Sequence, residues 1–295
     1  MNRRQVQSWR VIERAARDTL GEGLFWHASE GALYWTDIIG QRLWRLDLAD
    51  GGVRDWAMPE KIGWVIAARS GGMVAGLQSG VHRLRLDLSG RDPAALERIA
   101  APEPDLPNNR LNDAACDGAG RLWFGTMPAD CHGASGGLWR LDPGGTLSRW
   151  QSGITIANGP AISPDGSILY HTDSKAGTVW RFDLGSDGTL SGQRVHLQFG
   201  SGGAPDGMCC DAQGHLWIAF YGGACVRRFA PDGRPLRQID LPTPQITNVA
   251  FAGAGLDRMF ATSAADGLPG DPLAGALFEL DAGGVTGSPP ALFAG

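Results

Sequence analysis

A pattern that returns six times along the chain limits its possible folds more than any other feature. Each copy has a polar or small head residue, a short stretch of apolar and small residues, a turn, and then in most copies a pair such as Leu-Trp or Leu-Tyr. The copies are EGLFWHASEGALYWTD from Glu22, GWVIAARSGGMVAGLQ from Gly63, NDAACDGAGRLWFGTM from Asn112, NGPAISPDGSILYHTD from Asn158, GAPDGMCCDAQGHLWIAF from Gly203 and NVAFAGAGLDRMFATS from Asn248. The heads recur at intervals of roughly 40 to 50 residues, the length of one four-stranded propeller blade. Most copies are followed by a further strand pattern, as in QRLWRLDL at Gln41, GVHRLRLDL at Gly80, GGLWRLD at Gly136 and GTVWRFDL at Gly177. Strand, Gly-containing turn, strand, short loop, strand is an antiparallel meander.

The predicted fold is therefore all-β, a six-bladed propeller of four-stranded antiparallel blades. No linker is long or polar enough to divide the chain, so one domain over residues 1–295 is expected. The 44 Gly, 18 Pro and 11 Trp fit many short strands better than long helices. VIERAARDTL near the N-terminus and PAALERIA from Pro93 are the only weak helix candidates.

In a propeller the innermost strand of each blade runs along the central channel, so the heads of the copies face one another around the axis. Aligning the copies puts Glu22, Asn112, Asn158, Asp206 and Asn248 at that position, with Gly63 in the remaining blade. Two carboxylates and three amides suit a hard or borderline divalent cation such as Ca²⁺, Mn²⁺ or Mg²⁺. Asn-Gly and Asp-Gly steps are also ordinary turn residues. Here, however, most copies carry a separate turn signal several residues later.

The net charge of −5, with Lys and Arg dispersed, leaves no basic stripe for phosphates, and nucleic acid is not expected as a partner. No run approaches the length of about 18 apolar residues that a membrane span needs, and the N-terminal stretch lacks an apolar signal core. A cytoplasmic protein with no membrane partner is expected. The five cysteines, Cys116, Cys131, Cys209, Cys210 and Cys225, show no C-x-x-C spacing and read as free thiols.

LGEGLFWHASEGALYWTDI, NNRLNDAACDGAGRLWFGTM, NGPAISPDGSILYHTD and APDGMCCDAQGHLWIA, in that order, carry a resemblance to the SMP-30/gluconolactonase/regucalcin family, and especially to its bacterial sugar-lactonase branch. The resemblance implies a six-bladed propeller with one catalytic divalent metal at the channel mouth, its ion left open among Ca²⁺, Mn²⁺, Zn²⁺, Mg²⁺ and Fe²⁺. It implies Glu22, Asn158 and Asp206 as the metal ligands, and Asp206 also as general base. It maps the family's Arg-x-Asn-Asp segment onto Arg110, Asn112 and Asp113 at the substrate, a small-molecule sugar lactone. The wording of NNRLND and YHTD is more similar to that of bacterial pentonolactonases, which implies arabinono- or xylonolactone. The stretch after Gly125 would form the loop over the substrate, with His132 within reach.

Other signals compete. Gly133-Ala134-Ser135-Gly136-Gly137 matches a Ser-nucleophile pattern, but that elbow needs a strand before it and a helix after it. Tyr34-Trp35-Thr36-Asp37 spells the tetrapeptide of non-enzymatic protein-binding propellers, but only once. A propeller that hydrolyses phosphotriesters or aryl esters would share the metal site. Most of the Trp residues read as blade packing, with Trp26 and Trp64, near repeat heads, set apart as possible sugar platforms.

Overall fold

The computed structural model describes residues 8–295; the first part of the stretch read for a signal core lies outside them. Six four-stranded antiparallel sheets form a six-bladed β-propeller. The inner strands are Gly21–His27, Ile62–Ala67, Asn109–Cys116, Ala157–Ile162, Ala204–Cys210 and Ile246–Ala252 for blades 1 to 6. Each packs against the inner strands of its two neighbours, closing the ring. Blade 6 takes its outer strand from the other end of the chain: Trp9–Val11 pairs with Phe278–Leu280 in the register Trp9↔Leu280 to Val11↔Phe278.

Among the described residues there is no α-helix, only a 3-10 turn at Ala28–Glu30. Both helix candidates fail. Pro93–Ala100 is the outer strand of blade 2, paired with Gly80–Leu86. Val11–Leu20 is mostly irregular, pinned by Arg14 and Asp18, whose side chains pair within the core. Sheet pairing in one case and a buried ion pair in the other override a weak helical period.

The turn signals have a structural purpose. In blades 3 and 5 the turn aspartates, Asp117 and Asp211, accept backbone N–H groups of their own turns and the indole N–H of Trp123 and Trp217, each at 3.0 Å. A short polar side chain thereby folds the hairpin and satisfies a buried indole at once. Tyr34-Trp35-Thr36-Asp37 is likewise internal: all four residues are buried, and the Thr36 hydroxyl donates to Gly63 O at 3.0 Å. Trp26 and Trp64, expected near the site, are also buried and pack in the layers between blades, and both line the cavity that runs down the channel.

Candidate active site

The inner strand of every blade breaks register with its neighbour at the same height. A bulge puts extra residue on one strand, bends it and re-aims its side chains. The polar heads cluster at this bulge, though not at one equivalent position as the alignment had them. Glu22 and Asn158 are the last paired residues before it, Asn112 and Asp206 the first within it, and Asn248 the second. Inside the bulge the strict two-residue alternation lapses, so neighbouring positions can all serve one volume.

Blade 2 has glycine here for a steric reason. A Cβ on Gly63 would lie 2.6 Å from Asn112 O and 2.8 Å from Leu111 O, both backbone atoms of blade 3. At Gly207, next to Asp206, a Cβ would overlap the Asn248 amide. The glycine beside a polar head is thus a spacer that lets adjacent inner strands approach.

The heads are buried and linked. Asn248 Nδ2 donates to Glu22 Oε2 at 3.0 Å, and Gly23 N donates to the same oxygen at 3.2 Å. Asn112 Nδ2 donates to Asn158 Oδ1 at 2.8 Å and to Ala157 O at 2.6 Å. Asn158 Nδ2 in turn donates to Ser174 Oγ at 2.8 Å. Arg110 donates through Nη1 to Asn112 Oδ1 and to Leu111 O. Asp113 accepts from Ala114 N at 2.8 Å and from Gly159 N at 3.0 Å; it ties blade 3 to blade 4 and lines the cavity that runs down the channel. Asp206 Oδ1 is buried with no hydrogen-bond partner.

Burial dominates the electrostatics. It pushes the Glu22 carboxyl up to about 7 against the hydrogen bonds from Asn248 and Gly23. Burial, together with the charges of Glu22 and Asp113, raises Asp206 well above the usual carboxylate range. Asp113 is raised too, by burial and by Glu22. Arg110 is lowered by burial, although Glu22 and Asp206 oppose the effect. Three acids and one guanidinium leave a negative excess in a closed space, which is costly unless a cation or protons neutralise it. Among the described residues no three His, Cys, Asp or Glu side chains gather at metal-binding spacing.

A sequence profile for the SMP-30/gluconolactonase/LRE-like region matches residues 20–265. The chain belongs to this family. Members similar to it include a 6-deoxy-6-sulfogluconolactonase of Pseudomonas putida, 36% identical over 94% of this chain and 95% of its own. A pentonolactonase, XacC, of Haloferax volcanii is 37% identical over 95% and 96%. Among solved structures, a calcium-binding protein, regucalcin, of Agrobacterium tumefaciens superposes with a TM-score of 0.89 at 30% identity, covering 96% of each chain.

The rival nucleophile has no elbow. Ser135 precedes the strand Gly136–Leu141, no helix follows, and its hydroxyl donates to Asn109 Oδ1 at 2.7 Å. The connection 129–135 leaves blade 3 where Pro128 pairs with Asn109, at the end of the channel that holds Arg110, and His132 on it is exposed. One residue the repeats did not single out is Glu103, which accepts from Asn109 Nδ2 at 2.6 Å, Thr126 Oγ1 at 2.8 Å and Trp139 Nε1 at 3.1 Å. Its only sequence signal is a charge within a proline-rich loop.

Proposed function

We propose that this protein is a sugar lactonase that opens an aldonolactone to its aldonic acid, with a pentonolactone such as arabinono- or xylonolactone as substrate, in the cytoplasm. The relatives named as lactonases support the reaction class, and the pentonolactonase among them supports the sugar. The observation that carries the reading is the buried, unpartnered Asp206 Oδ1 beside Glu22, a pair of carboxylates that protein donors leave incompletely satisfied.

One divalent cation fits this donor set, held by Glu22, Asn158 and Asp206, because hard oxygen donors with excess negative charge are what such ions require. When bound it supplies Lewis acidity toward the ester carbonyl. The side chains provide the rest. Arg110, anchored through Nη1, keeps its other N–H groups for ring or exocyclic hydroxyls. Asn112 orients both Arg110 and Asn158, and its carbonyl oxygen retains a lone pair for a substrate hydroxyl. Asp113 holds Gly159, and through it the strand carrying Asn158.

In the reaction, water adds to the carbonyl carbon while Asp206 takes its proton. The ring C–O bond then breaks, and the departing alkoxide receives that proton, leaving the open acid.

The test is a pH-indicator assay on arabinono-, xylono-, galactono- and gluconolactone, with chelated protein and then with Mn²⁺, Ca²⁺, Mg²⁺, Zn²⁺ or Fe²⁺ added in turn. Restored turnover well above spontaneous ring opening supports the reading. The calcium-binding relative favours one second reading, a propeller that holds calcium without turnover. In the same assay it gives bound metal and no hydrolysis with any ion.

A further inference from the structure

A second cavity, of about 380 Å³, opens between blades 2 and 3 at the same end of the molecule. Glu60, Ser79 and Arg98 of blade 2 line one wall, and Glu103, Asn109 and Arg110 the other. Arg110 belongs to both this cleft and the site above, so the cleft is the continuation of that site toward the rim.

Its two carboxylates and two guanidiniums differ in how far their hydrogen-bonding capacity is used. Glu103 is occupied by three neutral donors, and Glu60 by the backbone N–H and hydroxyl of Ser79 at 2.9 and 2.5 Å. The two guanidiniums have no such partners. Arg110, buried at the inner end, donates only to Leu111 O and Asn112 Oδ1, while Arg98 on the outer strand is exposed. Neither enters an ion pair among the described residues, although 14 other pairs do form. A guanidinium fork without a carboxylate is suited to a bidentate oxyanion.

We infer that this cleft is a subsite for the end of the substrate remote from the ester, and that among the pentonolactones proposed above it favours derivatives bearing an anionic group on the terminal carbon over the uncharged parents. Arg110 engages hydroxyls near the ring and Arg98 the terminal phosphate, sulfonate or carboxylate. The volume suits such an arm, since small-ligand pockets begin at about 300 Å³. The inference rests on the lactonase reading for the identity of the ring, but anion recognition by the cleft can be measured without turnover.

Isothermal titration of the full chain with arabinonate, 5-phosphoarabinonate and arabinarate tests it, comparing the parent protein with Arg98→Ala and Arg98→Lys. The expected result is at least tenfold tighter binding of a terminally charged probe than of arabinonate. Arg98→Ala removes that advantage and Arg98→Lys keeps part of it. Whether phosphate or carboxylate binds more tightly identifies the anion. Thermal melting of each variant checks that it is folded. Equal affinity for charged and uncharged termini, no binding of any probe, or a preference that survives Arg98→Ala overturns the inference. A parent protein that hydrolyses no lactone but shows the Arg98-dependent preference overturns only the lactonase reading.

Discussion

Asn248 of the last blade donates its amide to Glu22 of the first, at 3.0 Å, across the seam where the propeller closes. The two residues are 226 positions apart in sequence, so this contact exists only where the first and last blades meet. Replacing Asn248 with Ala frees Glu22 Oε2 of its side-chain donor without removing any proposed ligand. Oriented partners of metal ligands are worth about 10- to 100-fold in affinity. Titration of chelated Asn248→Ala protein with Mn²⁺ or Ca²⁺ should show a loss in that range, with the fold intact by circular dichroism.

Removing the carboxylates themselves should be more severe. Asp206→Ala and Glu22→Gln are expected to lower turnover by at least about 100-fold and to abolish metal retention. Metal analysis after gel filtration, alongside the lactone assay, checks both effects. Near-parental turnover in either variant excludes the assignment.

The raised Glu22 carboxyl predicts an unusual pH profile for the chelated protein. Its value rises from 4.5 to about 7 on folding. Between those values the folded state keeps a proton that the unfolded state has released. Its contribution to stability is therefore present below pH 4.5 and is lost as pH rises toward 7, with a slope of at most about 1.4 kcal/mol per pH unit. Urea denaturation at pH 5, 6, 7 and 8 should show Glu22→Gln gaining stability over the parent across this window. A constant difference between the two proteins refutes the shift.

Arg110 is assigned to substrate and not to metal. Loss of a hydrogen bond from a charged group costs about 1.5 to 3 kcal/mol, so Arg110→Ala should raise KM roughly 10- to 100-fold. Metal content should remain that of the parent. Loss of stoichiometric metal in this variant contradicts its role.

Gly63 tests the packing that brings the inner strands together. Its hypothetical Cβ meets the carbonyl oxygens of Leu111 and Asn112, the residues that anchor Arg110. Gly63→Ala should cost about 1 to 3 kcal/mol in stability as blade 3 moves away. It should also raise KM, because Arg110 moves with its anchors. Chemical denaturation and steady-state kinetics read the two effects separately.

What the chain alone determined was the repeat: six polar or glycine heads at blade-length intervals, each leading into strand patterns. Local chemistry governs those features. A turn aspartate such as Asp117 folds its own hairpin, and alternation along a strand separates buried from exposed faces, so both can be read within a few residues. The free thiols, the turn-rich composition and the set of polar heads were legible for the same reason.

Tertiary structure decided what depends on contacts between blades. The bulge offsets Glu22, Asn112 and Asn248 by one or two residues from a strict alignment, because inner strands must bend and interleave around the axis. Trp26 and Trp64 lie near the heads in sequence, yet the packed layers between blades absorb them. Pro93–Ala100 became a strand because Gly80–Leu86 offered an open edge. Glu103, Asn109 and Trp139 meet only when the loop before blade 3 folds onto its strands. Packing and hydrogen bonding between segments set these positions, across separations from 6 residues for Glu103 and Asn109 to 36 for Glu103 and Trp139, and a local residue pattern does not say which partner will be met.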